Sequence, residues 1–129
     1  MIRPATHDDV EGMVSLLHLC DLYNPTLDYR VWGHPTLVAT EQEGQVIGLC
    51  QVLLGQPYAY MTEIAVHPSY RNKGIGKQLV NAMEDIMRGC GVKHWCAITV
   101  LSNPNAAKRM EHIGAHVMGI GTAYLKEVL

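Results

Sequence analysis

The sequence predicts an α+β fold, a mixed α/β class in which a central, mostly antiparallel, twisted sheet is flanked by helices. Between residues 36 and 66, short apolar runs are separated by turn residues, which is typical of consecutive antiparallel strands. Apolar residues at helical spacing occur before and after this segment, so helices are expected beside the sheet. A length of 129 residues predicts a single domain over 1–129.

The first part of the chain predicts a short edge strand at 2–5 and a helix over 7–22. Thr6 and Asp9 match the capping-box pattern that begins a helix. One face of this helix is apolar: Val10, Met13, Val14, Leu17 and Cys20. Residues 23–35 contain two prolines and a glycine and predict an irregular connection, whose aromatic residues either line an acceptor pocket or cover the core.

Three strands are expected next, over 36–42, 45–54 and 58–66. A hairpin turn at 43–44 joins the first two strands, and a turn at 55–57 joins the second to the third. Both alternating sets of residues in 45–54 are apolar, so this strand is expected to be central and covered on both faces.

The remaining residues predict a helix over 77–88 and a strand over 93–101. A short helix opened by an Asn-Pro pair is expected to run to about His112. Residues 115–120 and 123–129 are then expected to form a closing hairpin.

Composition restricts the protein class. Mean hydropathy is +0.03 and no apolar run approaches the length of a membrane span, so no membrane association is expected. The first residues lack the apolar core of a signal peptide. The four cysteines form no CxxC pair, which favours free thiols in a cytoplasmic, reducing compartment and no metal site.

The charge is unevenly distributed along the chain. Residues 1–70 carry eight acidic and two basic residues, whereas residues 71–129 carry eight basic and four acidic residues. A positive field of this kind raises the local concentration of anions. The alternative interpretation is scattered surface charge.

The positive half begins within HPSYRNKGIGKQLV, residues 67–80, where a glycine-rich turn follows a strand and precedes a helix. Free backbone N–H groups and the helix dipole make such a helix start a natural phosphate site. The spacing does not match a Walker loop or a dinucleotide-binding fingerprint. The candidate diphosphate-binding residues are Arg71, Asn72, Lys73, Gly74, Ile75, Gly76 and Lys77.

Together with the later ITVLSNPNAAKRMEHIG, the segment TEIAVHPSYRNKGIGKQLV resembles the GCN5-related N-acetyltransferase (GNAT) superfamily. The resemblance implies acetyl-CoA as cosubstrate, with its pyrophosphate on the amides of the glycine loop. Its pantetheine arm would lie where the strand carrying Ile64–Val66 splays from the strand carrying Ile98–Val100. The resemblance implies further contacts to this arm from Ile64, Ala65 and Val66 through their backbones, and from Asn103 and Ala107.

Glu63 is the candidate general base. It lies in an apolar strand, where desolvation raises the pKa of a carboxylate, and family members often place a base at this position. Many members also have a tyrosine that protonates the leaving thiolate, but Met110 occupies that position here. Tyr124 is the candidate substitute, with His112 and Tyr60 as alternatives, and an unassisted thiolate remains a further alternative.

The function that the resemblance implies is N-acetylation of a primary amine by direct attack in a ternary complex. The acidic first half weakly favours a cationic acceptor. No nucleic-acid partner is expected, and a homodimer is one assembly that the sequence leaves open. The alternatives are a non-catalytic acyl-CoA sensor, which Met110 favours, and generic nucleotide binding.

Overall fold

The structure is a computed structural model that describes residues 1–22, 34–55, 58–98, 104–119 and 126. The chain divides into two compact units, Met1–Ile98 and Thr99–Leu129. Within the described residues, the first unit contains strands β1 (Ile2–Pro4), β2 (Thr36–Thr40), β3 (Val46–Leu53), β4 (Ala59–Val66) and β5 (Trp95–Cys96), and helices α1 (Val10–Leu19) and α2 (Ile75–Gly89). In the second unit, helix α3 spans Pro104–His112.

The five strands form one sheet in the order β1-β2-β3-β4-β5. The first three pairings are antiparallel, and only the pairing of β4 with β5 is parallel. Strand β3 is buried from Val46 to Val52, because helices cover both faces of the sheet there. The predicted α+β class, the mostly antiparallel sheet and the central position of this strand are therefore confirmed.

The core of the first unit forms where apolar helix faces meet the sheet. One buried cluster joins α1 to three strands: Met13, Leu16, Leu17, Val38, Val46, Leu49 and Ala65. On α2, the buried residues are Leu79, Val80, Met83 and Met87. A Cβ built on Gly48 would lie 3.0 Å from Leu79 Cδ1 and 3.3 Å from Ile75 Cγ2. Glycine at position 48 therefore lets the first turns of α2 pack closely on β3.

Helix α1 is shorter than the predicted span of 7–22. Residues His7–Asp9 form a 3₁₀ turn, and the α-helix ends at Leu19. It ends because Asp21 adopts a left-handed conformation, with φ of 57°, and the Leu22 N–H donates to the Leu17 carbonyl at 2.8 Å. This closing turn uses aspartate where glycine is the usual residue, so no stop signal is visible in the sequence.

Asp9 anchors the start of this helix. Its carboxylate accepts a 2.8 Å hydrogen bond from the Thr6 backbone N–H, as a capping residue does. It also accepts two hydrogen bonds from the Arg3 guanidinium, at 2.7 and 2.8 Å. These hydrogen bonds hold the pKa of Asp9 below its usual value of 3.8, at about 2. The ion pair ties β1 to the helix that follows it.

Further boundaries in the first unit differ from those predicted; strand β2, for example, ends at Thr40 and not at residue 42. Helix α2 begins at Ile75, two residues before the expected start, because Gly74 serves as its N-cap. Strand β5 contains only Trp95 and Cys96 of the predicted span 93–101. The described ladder with β4 is confined to these two residues, next to one hydrogen bond from the Ala59 N–H to the His94 carbonyl at 3.0 Å. Residues 99–101 lie outside the described part of the chain.

In the second unit, the predicted strand over 115–120 is wrong for its described part. Residues 115–119 have no regular secondary structure, since a strand requires a paired neighbour and none is found among the described residues. Several predicted features lie outside the described residues. They are the second strand of that hairpin, of which only Lys126 is described, the part of the irregular connection at 23–33, and the residues Asn103 and Tyr124. None of the described helices is both long enough and apolar enough to cross a membrane.

Candidate functional site

A short ordered turn connects β4 to the glycine loop. Residues Pro68–Tyr70 form a 3₁₀ turn, in which the Tyr70 N–H donates to the His67 carbonyl at 2.8 Å. The His67 ring caps this turn, because its Nδ1 accepts from the Ser69 N–H at 3.0 Å. His67 is itself held on the sheet by donating its N–H to the Ile47 carbonyl at 2.8 Å. These hydrogen bonds therefore fix the direction in which the chain leaves β4.

Two residues with positive φ then reverse the chain into α2. Asn72 has a φ of 63° and Gly74 has a φ of 84°. The left-handed conformation at Gly74 is one that only glycine adopts without strain. Gly76 differs, because it lies inside the first helical turn and a Cβ there would make an ordinary 3.6 Å contact with Val66 Cγ2. The two glycines therefore have different structural roles.

The start of α2 is suited to binding an anion. No hydrogen bond from the N-cap side chain satisfies its first amides, because the N-cap is Gly74. These amides belong to the first turn, and the helix dipole adds partial positive charge at the same end. Lys73 and Lys77 are exposed beside it. The arrangement thus combines first-turn N–H groups that the N-cap side chain does not bond with exposed lysines at one helix end.

Arg71 connects the loop to the end of β4. Its Nε donates a 3.1 Å hydrogen bond to the Val66 carbonyl, and its Nη2 lies 3.5 Å from the Cys20 sulfur. The Cys20 thiol also donates to the Val66 carbonyl at 3.5 Å. Two residues that the sequence assigns to cofactor binding, Arg71 and Val66, are therefore bonded to each other in this structure.

Within the described residues, the edge of β4 that faces away from β3 is unpaired, and in that sense open, over part of its length. Strand β5 pairs with β4 only at Ala59 and Tyr60. Beyond that point, residues 61–66 have no ladder partner on that edge within the described part of the chain. The sequence predicts that β4 diverges here from a strand carrying Ile98–Val100. Ile98 has no regular secondary structure and residues 99–100 lie outside the described part of the chain, so this divergence stays a prediction.

The ladder decides which backbone groups point to this open edge. Ala65 is opposite Leu49, and the hydrogen bond from His67 to Ile47 places Ala65 among the residues that bond β3. Because alternate residues of an antiparallel strand bond to opposite sides, Ile64 and Val66 direct their N–H and C=O groups toward the open edge. The N–H groups of both residues and the Ile64 carbonyl therefore face this edge, while the Val66 carbonyl already accepts hydrogen bonds from Arg71 and Cys20.

Glu63 directly precedes Ile64 on β4, next to an irregularity that was not predicted from the sequence. The register shifts between Gln51 and Val52, so that Gln51 is opposite Glu63 while Val52 is opposite Met61. Thr62 is thus the extra residue of a β-bulge. Glu63 is half-buried there, and a bulge commonly re-aims neighbouring side chains.

The second unit contributes α3 to the described part of the chain. Ala107 is exposed on this helix, and Met110 is half-buried in its last turns. Gly114 ends the segment with a φ of 91°. Asn103 and Tyr124, the other residues assigned from the sequence, lie outside the described residues. Within the described ranges, no three His, Cys, Asp or Glu side chains come together as a metal site.

Two sets of side-chain hydrogen bonds were not predicted from the sequence. Tyr70 joins Glu41 of the β2–β3 turn, and Gln51 joins Thr36 and Thr62 across three strands. The second set had a visible signal: a single glutamine in the apolar run VIGLCQVLL needs a buried hydrogen-bond partner.

Comparison with known proteins agrees with this architecture. The model of the acetyltransferase (GNAT) family matches residues 18–115. An acetyltransferase of Sodalis glossinidius (strain morsitans) is 35% identical over 102 residues, which cover 69% of this chain and 69% of that protein.

Two solved structures share the fold over nearly the whole chain. The aminoglycoside antibiotic 6'-N-acetyltransferase of Acinetobacter baumannii has a TM-score of 0.83 at 17% identity, covering 99% of this chain and 98% of that chain. An aminoglycoside N-acetyltransferase in complex with CoA has a TM-score of 0.82 at 20% identity, covering 99% of this chain and 100% of that chain. By its family match, its Sodalis relative and its fold, this chain belongs to the GNAT family of acetyltransferases.

Proposed function

We propose that this protein is an N-acetyltransferase that transfers the acetyl group of acetyl-CoA directly to a primary amine in a ternary complex. The observation that carries the proposal is the juxtaposition of three features along one stretch of chain. These are the bulged strand with Glu63, the open backbone edge at Ile64 and Val66, and the glycine-capped start of α2.

The diphosphate of acetyl-CoA would bind the start of α2. The proposed binding residues are the loop and first-turn residues Arg71, Asn72, Lys73, Gly74, Ile75, Gly76 and Lys77. Their backbone N–H groups and the helix dipole supply the donors, and the exposed lysines supply full positive charges. A solved structure with the same fold is an aminoglycoside N-acetyltransferase in complex with CoA, which supports a CoA site in this chain.

The pantetheine arm would lie along the open edge of β4. Ile64 and Val66 direct backbone groups to this edge. Ala65 lies between them, is buried and pairs with Leu49 of β3. Asn103 and Ala107 are the proposed further contacts. Binding at Val66 requires the Arg71 side chain to release the Val66 carbonyl, or uses the Val66 N–H instead.

In the reaction, the amine nitrogen forms a bond to the thioester carbonyl carbon and the carbon–sulfur bond breaks. Glu63 is the proposed base that accepts the proton lost by the amine. The electron pair of the broken bond stays on sulfur, and Tyr124 is the proposed donor that returns a proton to the thiolate. Since Met110 has no proton to donate, the residue at the family's usual position does not perform this step.

The acceptor is proposed to be a cationic amine, such as a polyamine, a lysine side chain or an amino sugar. The negative charge of the first 70 residues favours such a molecule over an anionic one. Two solved structures with the same fold are aminoglycoside N-acetyltransferases, which favours the amino sugar among these candidates.

The experiment is to incubate the protein with acetyl-CoA and each amine class, and to measure the products by mass spectrometry. The expected result is an amine product that carries one acetyl group, together with free CoA. A second candidate, favoured by Met110, is a sensor that binds acetyl-CoA without transferring the acetyl group. Tight binding of acetyl-CoA with no acetylated product from any amine class would support the sensor.

A further inference from the structure

A buried polar network joins three strands directly beside the bulge. Gln51, at the centre of the sheet, is 0% exposed. Its Nε2 donates a 3.0 Å hydrogen bond to Thr36 Oγ1 on β2, and its Oε1 accepts a 3.0 Å hydrogen bond from Thr62 Oγ1 on β4. Thr36 in turn donates to the His34 carbonyl at 3.3 Å. One amide therefore bridges the two neighbouring strands of β3.

The network includes the residue that forms the bulge. Thr62 is the extra residue of β4, between Met61 and Glu63, and both Thr62 and Glu63 face the single residue Gln51. The Thr62 hydroxyl lies 3.0 Å from the side-chain oxygen of Gln51 and 3.3 Å from its backbone carbonyl. The geometry of the bulge is thus fixed by a side chain from the adjacent strand, in addition to the backbone ladder.

Burial makes this arrangement specific. A buried amide that loses a hydrogen-bond partner retains the full cost of its desolvation, so the network favours the one geometry that satisfies every member. Within the described residues, no buried side-chain nitrogen or oxygen lacks a partner. A shift of Thr62 would leave Gln51 Oε1 unsatisfied, and Glu63 is covalently next to Thr62.

From this we infer that Gln51 and Thr62 are positioning residues that hold the carboxylate of Glu63 in its reactive orientation. The inference rests on the proposed function, since it assigns a purpose to the network only if Glu63 is the base. Gln51 and Thr62 do not touch the reacting atoms; they act through the bulge. Thr36 fixes the far side of the Gln51 amide and so supports the same geometry.

The test replaces the hydroxyl of Thr62 without changing the shape of its side chain. Thr62→Val is expected to lower kcat by about tenfold, because small displacements of a catalytic group produce losses of that order. KM for acetyl-CoA is expected to stay unchanged, since the network does not touch the diphosphate site. Thr62→Ser keeps the hydroxyl and is expected to restore kcat. All rates are measured well below the melting temperature of each variant.

A second pair of variants covers the case in which Thr62→Val does not fold. Thr36→Val removes the hydroxyl that accepts the hydrogen bond from Gln51 Nε2. Thr40→Val is the control on the same strand, because Thr40 is 5% exposed and Thr36 is 6% exposed. Thr36→Val is expected to lower kcat, and Thr40→Val is expected to leave it unchanged.

The outcomes separate this inference from the function on which it rests. If Glu63→Gln lowers kcat but Thr62→Val and Thr36→Val do not, the positioning role is wrong and the base stands. If Thr62→Val lowers only the melting temperature, the network is purely structural and the inference is overturned. If Glu63→Gln leaves kcat unchanged, Glu63 is not the general base, and the positioning role of Gln51 and Thr62 is then wrong as well.

Discussion

The Tyr70 hydroxyl donates a 2.9 Å hydrogen bond to the Glu41 carboxylate, which ties the turn after β4 to the turn between β2 and β3. The Tyr70 ring also packs edge-to-face against His67, with centroids 5.6 Å apart, and lies 5.2 Å from Lys73 Nζ. Tyr70 therefore connects the hairpin, the capped turn and one cation of the loop. These contacts hold the segment that leads into α2 against the turn between β2 and β3.

Removing this connection is expected to weaken the binding of acetyl-CoA. Tyr70→Phe keeps the ring contacts but loses the hydroxyl, so the dissociation constant is expected to rise by roughly two- to tenfold, the size of one hydrogen bond. Titration calorimetry measures this change, and kcat at saturating acetyl-CoA is expected to stay the same. Ser69→Ala, in the same exposed turn, is the control. An unchanged dissociation constant in Tyr70→Phe would show that the connection does not order the loop.

The same connection predicts a dependence on pH. Hydrogen bonding to Glu41 raises the pKa of Tyr70, so the bonded neutral form is fully present at neutral pH and is lost only as the pH rises through the raised pKa. Wild-type affinity for acetyl-CoA is therefore expected to fall in the alkaline range more steeply than the affinity of Tyr70→Phe. Parallel pH profiles for the two proteins would contradict this expectation.

The two glycines of the loop are expected to respond differently to substitution. Gly76→Ala introduces a Cβ into an ordinary contact with Val66, so acetyl-CoA affinity should be retained and the helix should gain about 0.5–1 kcal/mol of stability. Gly76→Asp adds negative charge where the diphosphate would bind, and should reduce affinity by at least about tenfold. Calorimetry and thermal melting separate these effects.

Gly74→Ala tests the backbone conformation independently. Nothing lies within 4 Å of a Cβ at this position, but its φ of 84° disfavours any other residue. The expected cost is about 1–2 kcal/mol in the free energy of unfolding, with weaker acetyl-CoA binding because the first amides of α2 shift. If Gly76→Asp and Gly76→Ala bind acetyl-CoA with equal affinity, the start of α2 does not bind the diphosphate and the loop only connects β4 to α2.

The proposed chemistry is tested by two substitutions that preserve shape. Glu63→Gln cannot accept a proton, so kcat is expected to fall by about 10²-fold or more with little change in the affinity for acetyl-CoA. Tyr124→Phe is expected to lower kcat and to remove an alkaline limb from the pH–rate profile. A Tyr124→Phe variant with the wild-type rate would instead indicate that the thiolate leaves unassisted.

The ion pair of Asp9 is expected to make the free energy of unfolding depend on pH in the acidic range. The Arg3 hydrogen bond lowers the pKa of Asp9 to about 2, so the stabilisation is fully present above its unfolded value near 3.8 and is lost as the pH falls toward 2. At neutral pH, Asp9→Asn should lower the free energy of unfolding by about 2 kcal/mol. Denaturant melts at a series of pH values measure this difference.

The matched control for this prediction is Asp8→Asn, which changes the exposed neighbouring aspartate. This control is expected to change stability by less than about 0.5 kcal/mol. The difference between wild type and Asp9→Asn should shrink as the pH is lowered from about 5 to 2. A difference that stays constant over that range would mean that the ion pair contributes little.

The sheet and its central strand could be predicted because they depend on local patterns. The turn at Glu43 and Gly44 is a short-range signal, and the apolar residues on both faces of β3 report burial directly. The start of the anion-binding helix was recognisable for the same reason, since glycines and cations are grouped within seven residues. These features need no knowledge of distant contacts.

The features that were not predicted depend on pairing between distant residues. The bulged Thr62 is hydrogen-bonded to Gln51, which lies 11 positions earlier in the chain, and Gln51 is bonded to Thr36, which lies 26 positions before Thr62. The end of α1 is closed by Asp21 in a conformation that sequence assigns mainly to glycine. The extent of β5 was overestimated because an apolar run indicates burial but not whether a neighbouring strand is within bonding distance.

The most direct test of acetyl transfer is the initial rate of CoA thiol release from acetyl-CoA, measured with and without a saturating cationic amine. The proposed function predicts that release is slow with acetyl-CoA alone, rises saturably with the amine, and falls by about 10²-fold in Glu63→Gln. If acetyl-CoA binds but no primary amine of any class accelerates thiol release, the protein is not the acetyltransferase proposed here.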